Sequence, residues 1–188
     1  MIGVLALQGD FTRHEEMLRS LGYKVRAVRY PTELEDLAGL IIPGGESTTI
    51  SKQLDAGGLR EGILALSRTR PVMGTCAGLI LMARMSSDTR VNSLSLLDVA
   101  VSRNGWGRQV HSFTTSITMQ ANRHQDTIPA VFIRAPRIED VGPEVEVLAR
   151  IGDEPVLVRQ GFHLGATFHP ELTQNALVHE LFLSALPI

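Results

Sequence analysis

Cysteine occurs once in the 188 residues, so no disulfide can form within the chain and the thiol acts alone. An excess of one charge is also missing. Eighteen Lys and Arg against twenty Asp and Glu leave a net charge of −2 with no block of like charge, which argues against a nucleic-acid or polyanion surface. Long hydrophobic runs are lacking too: the longest weakly polar stretch, Val72 to Ala83, is twelve residues, short of the roughly 20 that cross a bilayer. Met1 to Gln8 carries no basic segment ahead of its apolar run, so a secretory leader is not expected and the chain is read as cytoplasmic. Neither G-x-x-x-x-G-K-[ST] nor a strand-linked G-x-G-x-x-G occurs, and H-E-x-x-H and C-x-x-C are missing as well. Nucleotide, dinucleotide and zinc chemistry are left without support, and neither metal ligands nor a cofactor is expected. No repeat, linker or low-complexity segment divides the chain. Its length suits one domain, residues 1–188, that buries roughly 70% of the surface its unfolded form exposes.

What is present is an alternation of strand, turn and helix. Ile2 to Leu7 is a continuous apolar run of the kind covered on both faces, followed after Gln8-Gly9-Asp10 by a helix from about Phe11 to Leu21. Lys24 to Tyr30 alternates small or apolar residues with Lys24, Arg26 and Arg29 and stops at Pro31, the pattern of a strand nearer an edge. Leu37 to Ile42 is a third strand, ending in the glycine-rich turn Pro43-Gly44-Gly45-Glu46-Ser47 before helices to about Leu54 and from about Leu59 to Leu66. A fourth strand begins at Val72. Such alternation predicts an α/β fold with a largely parallel sheet, whose ligands sit beyond the carboxyl ends of the strands. Gln8, Gly44, Gly45, Glu46, Ser47 and Cys76 all fall at such ends. In the second half Asp98 to Arg103, Ser112 to Met119, Val131 to Ala135, Val145 to Ile151, Val156 to Gln160 and Leu164 to Phe168 are short and β-branched. They predict antiparallel additions, closed by a helix from about Asn175 to Leu186.

Gly74-Thr75-Cys76-Ala77-Gly78 is a cysteine version of the G-x-S-x-G elbow, in which small residues let a strained strand-to-helix turn lift the central side chain above the sheet. The helix that follows presents unpaired N–H groups and a partial positive charge, favourable to a thiolate and to a developing oxyanion. Acyl transfer from a thiol also needs a base and a group that orients it. His169, in Phe168-His169-Pro170-Glu171, is the candidate: Pro170 favours extended geometry at His169, and in an extended segment Glu171 projects to the same side. His14, His111, His124, His163 and His179 lack such a setting and read as surface or core residues. The N–H groups of Gly45 and Ala77 are candidates for an oxyanion hole, each donor contributing about 3 to 4 kcal/mol to transition-state stabilisation. Arg103 and Arg108 flank Asn104-Gly105-Trp106-Gly107 and suit carboxylate capture, although most arginines in such a loop are solvated surface charges.

Together with Leu7-Gln8-Gly9, Pro43 to Thr49, Arg103-Asn104, Gly107-Arg108-Gln109, Phe132 to Pro136 and Phe168 to Thr173, these motifs span nearly the whole chain. In combination they resemble class I glutamine amidotransferases, and within them the glutaminase subunits of pyridoxal 5′-phosphate synthases. The resemblance implies a three-layer, flavodoxin-like α/β domain that hydrolyses L-glutamine to L-glutamate and ammonia through a thioester. It implies Cys76 as nucleophile, His169 and Glu171 as its partners, and Gly45, Glu46, Ser47, Arg103, Ile133 and Arg134 as glutamine contacts, with Gln8 and Gly44 in support. It further implies delivery of ammonia to a (β/α)₈ synthase subunit within a large hetero-oligomer. Asn104-Gly105-Trp106-Gly107 departs from the family's more usual Asn-Ser-aromatic-Gly, and His111 stands where Asp is common. Two other readings are a glutaminase for a different synthase, such as that of imidazole glycerol phosphate, and a redox sensor using the elbow cysteine without enzymatic turnover.

Overall fold

The computed structural model describes residues 1–103, 112–121 and 124–187. Three short, fully buried runs form parallel strands β1 (Ile2–Leu5), β3 (Gly39–Ile42) and β4 (Val72–Thr75), and β2 (Val25–Val28) lies outside β1 at the edge. The alternation of charged and small residues in β2 is what an edge position requires. β12 (His163–Ala166) continues the parallel set beside β4, pairing Leu164 with Met73. Beyond it, β11 (Glu154–Gln160), β10 (Glu146–Ile151), β7 (Ser112–Ala121) and β8 (His124–Ile133) extend the sheet antiparallel, giving nine strands in the order β2-β1-β3-β4-β12-β11-β10-β7-β8. A second sheet of β5 (Ala83–Ser86), β6 (Leu97–Ser102) and β9 (Arg137–Val141) packs on one face.

Because successive residues of a strand point to opposite faces, the central strands feed two cores. Leu40, Ile42 and Val72 join Ile50 and Leu54 of α2 (Ser47–Ala56), Leu59 and Ile63 of α3 (Leu59–Ser67), residues of α4 (Ala77–Met82) and the apolar side of the small sheet. Ile41 and Met73 point the other way, into a core with Leu18 of α1 (Phe11–Ser20) and Val178, Leu181 and Phe182 of α5 (Leu177–Leu183). With four parallel and four antiparallel strand pairs, the large sheet is evenly mixed rather than largely parallel, because the strands of the second half add as many antiparallel pairs as the first half has parallel ones. Helices on both faces of the parallel half make the three layers that the resemblance implies.

Several boundaries differ from the sequence reading. β5 follows α4 directly, although Ala83, Arg84 and Met85 are good helix formers; pairing with β6 overrides that propensity. β9 was not foreseen because Arg137, Glu139 and Asp140 leave it a single buried apolar residue, Ile138. β8 begins well before Val131 and contains Pro129, which is tolerated because β8 is the outermost strand. The last helix is shorter at both ends than predicted. Asn104-Gly105-Trp106-Gly107, Arg108 and His111 lie outside the described residues. Among the described residues no helix is long and apolar enough to cross a membrane.

Candidate active site

The turn after β4 is built by its glycines. A Cβ on Gly74 would fall 2.6 Å from the backbone carbon of Gly78, and one on Gly78 would fall 1.9 Å from the carbonyl oxygen of Ile42. With both side chains absent, α4 starts flush against the ends of β3 and β4, and Cys76 between them takes the strained φ of 49° and ψ of −104°. This is the elbow that the spacing predicts. Its backbone N–H is tied to Ala166 O at 2.9 Å, and its Sγ approaches Ile133 O at 3.8 Å.

His169 arrives from the end of β12, held by its backbone N–H to Val131 O at 2.8 Å. Its ring packs on Gly44, where a Cβ would come within 2.5 Å of Cε1. Nδ1 meets Glu171 Oε1 at 2.7 Å, and Cys76 is the ring's other electrostatic partner. One detail differs from expectation: Pro170–Leu172 is a 3₁₀ turn, so Glu171 reaches the ring by curling back rather than by the alternation of an extended segment. Burial opposes charge on His169, but its interactions with Cys76 and with Glu171 outweigh it and push the imidazole up to about 10. Burial likewise opposes charge on Glu171, and the neighbouring His14 and His169 nevertheless hold its carboxyl below the usual range.

Cys76 and His169 open on a cavity of about 330 Å³ at the carboxyl ends of the parallel strands. Gln8, Gly44, Gly45, Glu46, Ser47, Ala77, Arg103, Ile133 and Arg134 also line it, so among the described residues the structure brings together the candidate site residues read from sequence except Glu171, which stands behind His169. The place is the one α/β topology favours, since the chain reverses its strand order between β1 and β3. Gly9, Asp10 and Ile80 complete the lining and were not foreseen. Gln8 Oε1 accepts from Glu46 N at 3.0 Å, which joins the β1 turn to the β3 turn. Ala77 opens α4, where the first N–H groups have no partner inside the helix.

Glu46 caps α2. Its Oε2 accepts from Thr49 N at 2.7 Å and from the Thr48 hydroxyl at 2.6 Å, while Oε1 accepts from Arg103 Nη2 at 2.7 Å. Burial works against the charge, yet the hydroxyls and N–H groups of Thr48 and Thr49 push this carboxyl down to about 2. Arg103 is anchored by Asp88 as well, at 2.9 Å, and is therefore no free surface arginine. The cavity thus presents an anion and a cation side by side. Ser47 Oγ, buried, has no hydrogen-bond partner among the described residues.

Two histidines assigned to surface or core prove to be core residues touching this centre. His14 and His179 are fully buried and in contact with each other, and His14 reaches Glu171. The available signal was weak: His14 shares the inner face of α1 with Leu18, and His179 sits among Val178, Leu181 and Phe182. Burial pushes His14 below its ordinary value and His179 down to about 3. Unfolded histidine binds its proton near 6.5 while the folded His179 stays neutral to about 3, so stability is lost as pH falls through that window. The slope is about 1.4 kcal/mol per pH unit for each such histidine. Between pH 5 and 6, below the midpoint of unfolded histidine, His169 is mostly protonated folded or unfolded, so urea midpoints there should fall with acid and fall less steeply in His179→Gln. A slope identical in the two proteins would contradict the assignment.

Among the described residues no cluster of three or more His, Cys, Asp and Glu could hold a metal ion. What the site offers is a thiol, a base oriented by a buried carboxylate, and backbone donors, the parts of amide hydrolysis through a thioester. Comparison with known proteins agrees. The chain is 49% identical to the pyridoxal 5′-phosphate synthase subunit PdxT of Koribacter versatilis (strain Ellin345), over 97% of this chain and 93% of that one. It is equally identical to the PdxT subunit of Corynebacterium jeikeium (strain K411), over 97% and 95%. A crystal structure of a glutamine amidotransferase superposes with a TM-score of 0.92 at 43% identity, covering 98% of this chain and 97% of that one. The family model of the SNO glutamine amidotransferases matches residues 4–187, and with relatives this close over nearly its full length the chain belongs to that family.

Proposed function

We propose that the chain, acting as one catalytic domain, is the glutaminase subunit of a pyridoxal 5′-phosphate synthase and passes ammonia from glutamine to a (β/α)₈ partner subunit in vitamin B6 synthesis. The observation that carries the chemistry is His169, held by Glu171, facing one cavity together with Cys76 and the Glu46–Arg103 pair. The names of the PdxT relatives support the partner.

Glutamine carries an α-ammonium and an α-carboxylate, which the charges of Glu46 and Arg103 complement, while Ser47, Ile133 and Arg134 lie where they can contact the bound amino acid. The Cys76 thiolate attacks the side-chain amide carbon, and the N–H groups of Gly45 and Ala77 take the tetrahedral oxyanion, with Gln8 and Gly44 shaping the turn that offers them. His169 gives its proton to the departing nitrogen and ammonia leaves a thioester. Neutral His169 then takes a proton from water as it adds, and collapse releases glutamate, returning the thiolate and protonated histidine. Glutamine and water become glutamate and ammonia, with no cofactor.

The test is glutamate release from glutamine by the chain alone and with the synthase subunit of the same organism. A large stimulation by that partner, with amide ¹⁵N appearing in pyridoxal 5′-phosphate, is expected. Equal rates with and without it, or label lost to bulk ammonium, would reject the partner while leaving the glutaminase intact.

A further inference from the structure

The reaction as described ends at Glu171, but the buried contacts do not. His14 Nε2 lies 3.3 Å from Glu171 Oε2, the carboxylate oxygen that faces away from His169, and 3.2 Å from the hydroxyl of Thr75, the residue before Cys76. Its other nitrogen, Nδ1, lies 2.9 Å from His179 Nε2. Among the described residues neither His179 Nδ1 nor Glu171 Oε2 has a hydrogen-bond partner, and that carboxylate oxygen faces His14 Nε2 as an ion-pair contact.

Chemistry fixes the protons along this chain. An ionised carboxylate only accepts, and a bare Nε2 lone pair 3.3 Å from Oε2 would repel it, so the His14 proton belongs on Nε2, hydrogen-bonded to the Thr75 hydroxyl and facing Oε2 at longer range. Burial keeps the ring neutral, which leaves Nδ1 as acceptor, and His179 must then donate from Nε2. The nitrogen left over, His179 Nδ1, is a bare lone pair, a smaller penalty than an orphaned N–H in an apolar core. Two leucines would fill this space without that penalty, so packing alone gives no reason for two imidazoles.

We propose that His14 is a positioning residue for glutamine hydrolysis: held as its Nε2–H tautomer by His179, it fixes the Glu171 carboxylate so that the opposite oxygen meets His169 Nδ1. The proposal rests on the glutaminase reading given above. His14 never touches substrate; it acts through Glu171, and through Thr75 it is tied to the strand that delivers the nucleophile.

The test compares three variants in the complete complex with the synthase subunit. His14→Leu removes the donor at similar volume and should lower kcat about tenfold with little change in KM, the scale on which loss of an orienting partner acts. His14→Gln places an N–H near the former Nε2 and should recover most of the loss. His14→Asn reaches only the former Nδ1 position, so it can satisfy His179 but not Glu171, and should remain impaired. If the leucine variant fails to fold, the glutamine and asparagine variants still decide, because both are polar and differ only in reach. Equal activity of these two overturns the proposal. Long-range ¹H–¹⁵N spectra of the ¹⁵N-histidine-labelled chain supply a readout independent of turnover: His14 should be neutral with its proton on Nε2. A proton on Nδ1, or a charged ring, overturns the proposal. A parent complex that released no glutamate would instead refute the glutaminase reading, with the tautomer still decided by the spectra.

Discussion

Cys76→Ala is expected to lower the rate of glutamate release by about 10⁴-fold or more, since no other group at the site can form the thioester. His169→Ala should fall to a similar level, because the thiolate loses the cation that stabilises it and the departing nitrogen loses its proton donor. The two losses should not add. Groups that act as one unit fail together, so the double variant should be no slower than Cys76→Ala alone. Initial rates for the three proteins in the presence of the synthase subunit, beside thermal midpoints to verify folding, check this. Activity of folded Cys76→Ala within tenfold of the parent would remove Cys76 as nucleophile. Survival of glutaminase activity in folded His169→Ala would remove His169 as the base, whereas a parent protein without glutaminase activity whose Cys76 oxidises equally with and without His169 would point to a redox-sensing thiol.

Gly9→Ala should produce the largest effect of any single methyl group near the cavity. Gly9 has φ of +86°, and a Cβ there would lie 1.8 Å from the carbonyl oxygen of Gly44 and 2.8 Å from its carbon. The first conflict is conformational, about 1 to 2 kcal/mol for a left-handed residue, and the second steric, about 1 to 3 kcal/mol for overpacking that only backbone movement can relieve. Together they predict a destabilisation of about 2 to 5 kcal/mol. Activity should suffer beyond the stability loss. The turn that must yield carries Gly44, against which the His169 ring lies, and Gly45, whose N–H is proposed for the oxyanion. Denaturant unfolding and kcat measured well below the thermal midpoint separate the two effects. An alanine variant with parental stability would mean that these two turns are not in contact in solution.

Much of this was legible before any coordinates. The apolar runs of β1, β3 and β4 announce strands buried on both faces, and Gly74 and Gly78 around the lone cysteine announce the elbow, because both patterns express local sterics. The convergence of Gln8, Gly45, Glu46 and Cys76 follows from topology alone, as all lie beyond parallel strand ends. β5 and β9 were illegible for the opposite reason. Their sequences prefer helix or solvent, and only pairing with β6 makes them strands. His14 and His179 escaped notice because an imidazole on an inner helix face looks the same whether it fills space or faces a carboxylate brought there by a segment far along the chain. The Glu171 contact was foreseen through the wrong geometry: the proline suggested an extended stretch, and the residues after it turn instead.

The central position of β12 has a consequence for how the molecule comes into being on the ribosome. Met73 and Cys76 are synthesised long before Leu164 and His169, yet β12 sits between β4 and β11 in the finished sheet. Until the last quarter of the chain emerges, β4 has one side unpaired, and Ala166 O is not there to receive the Cys76 N–H. Sheet closure and assembly of the nucleophile with its base are therefore one late event. A nascent or truncated chain carries its cysteine without the base and leaves an open strand edge prone to pairing with its neighbours, so the timing of synthesis itself withholds the chemistry until the fold is complete.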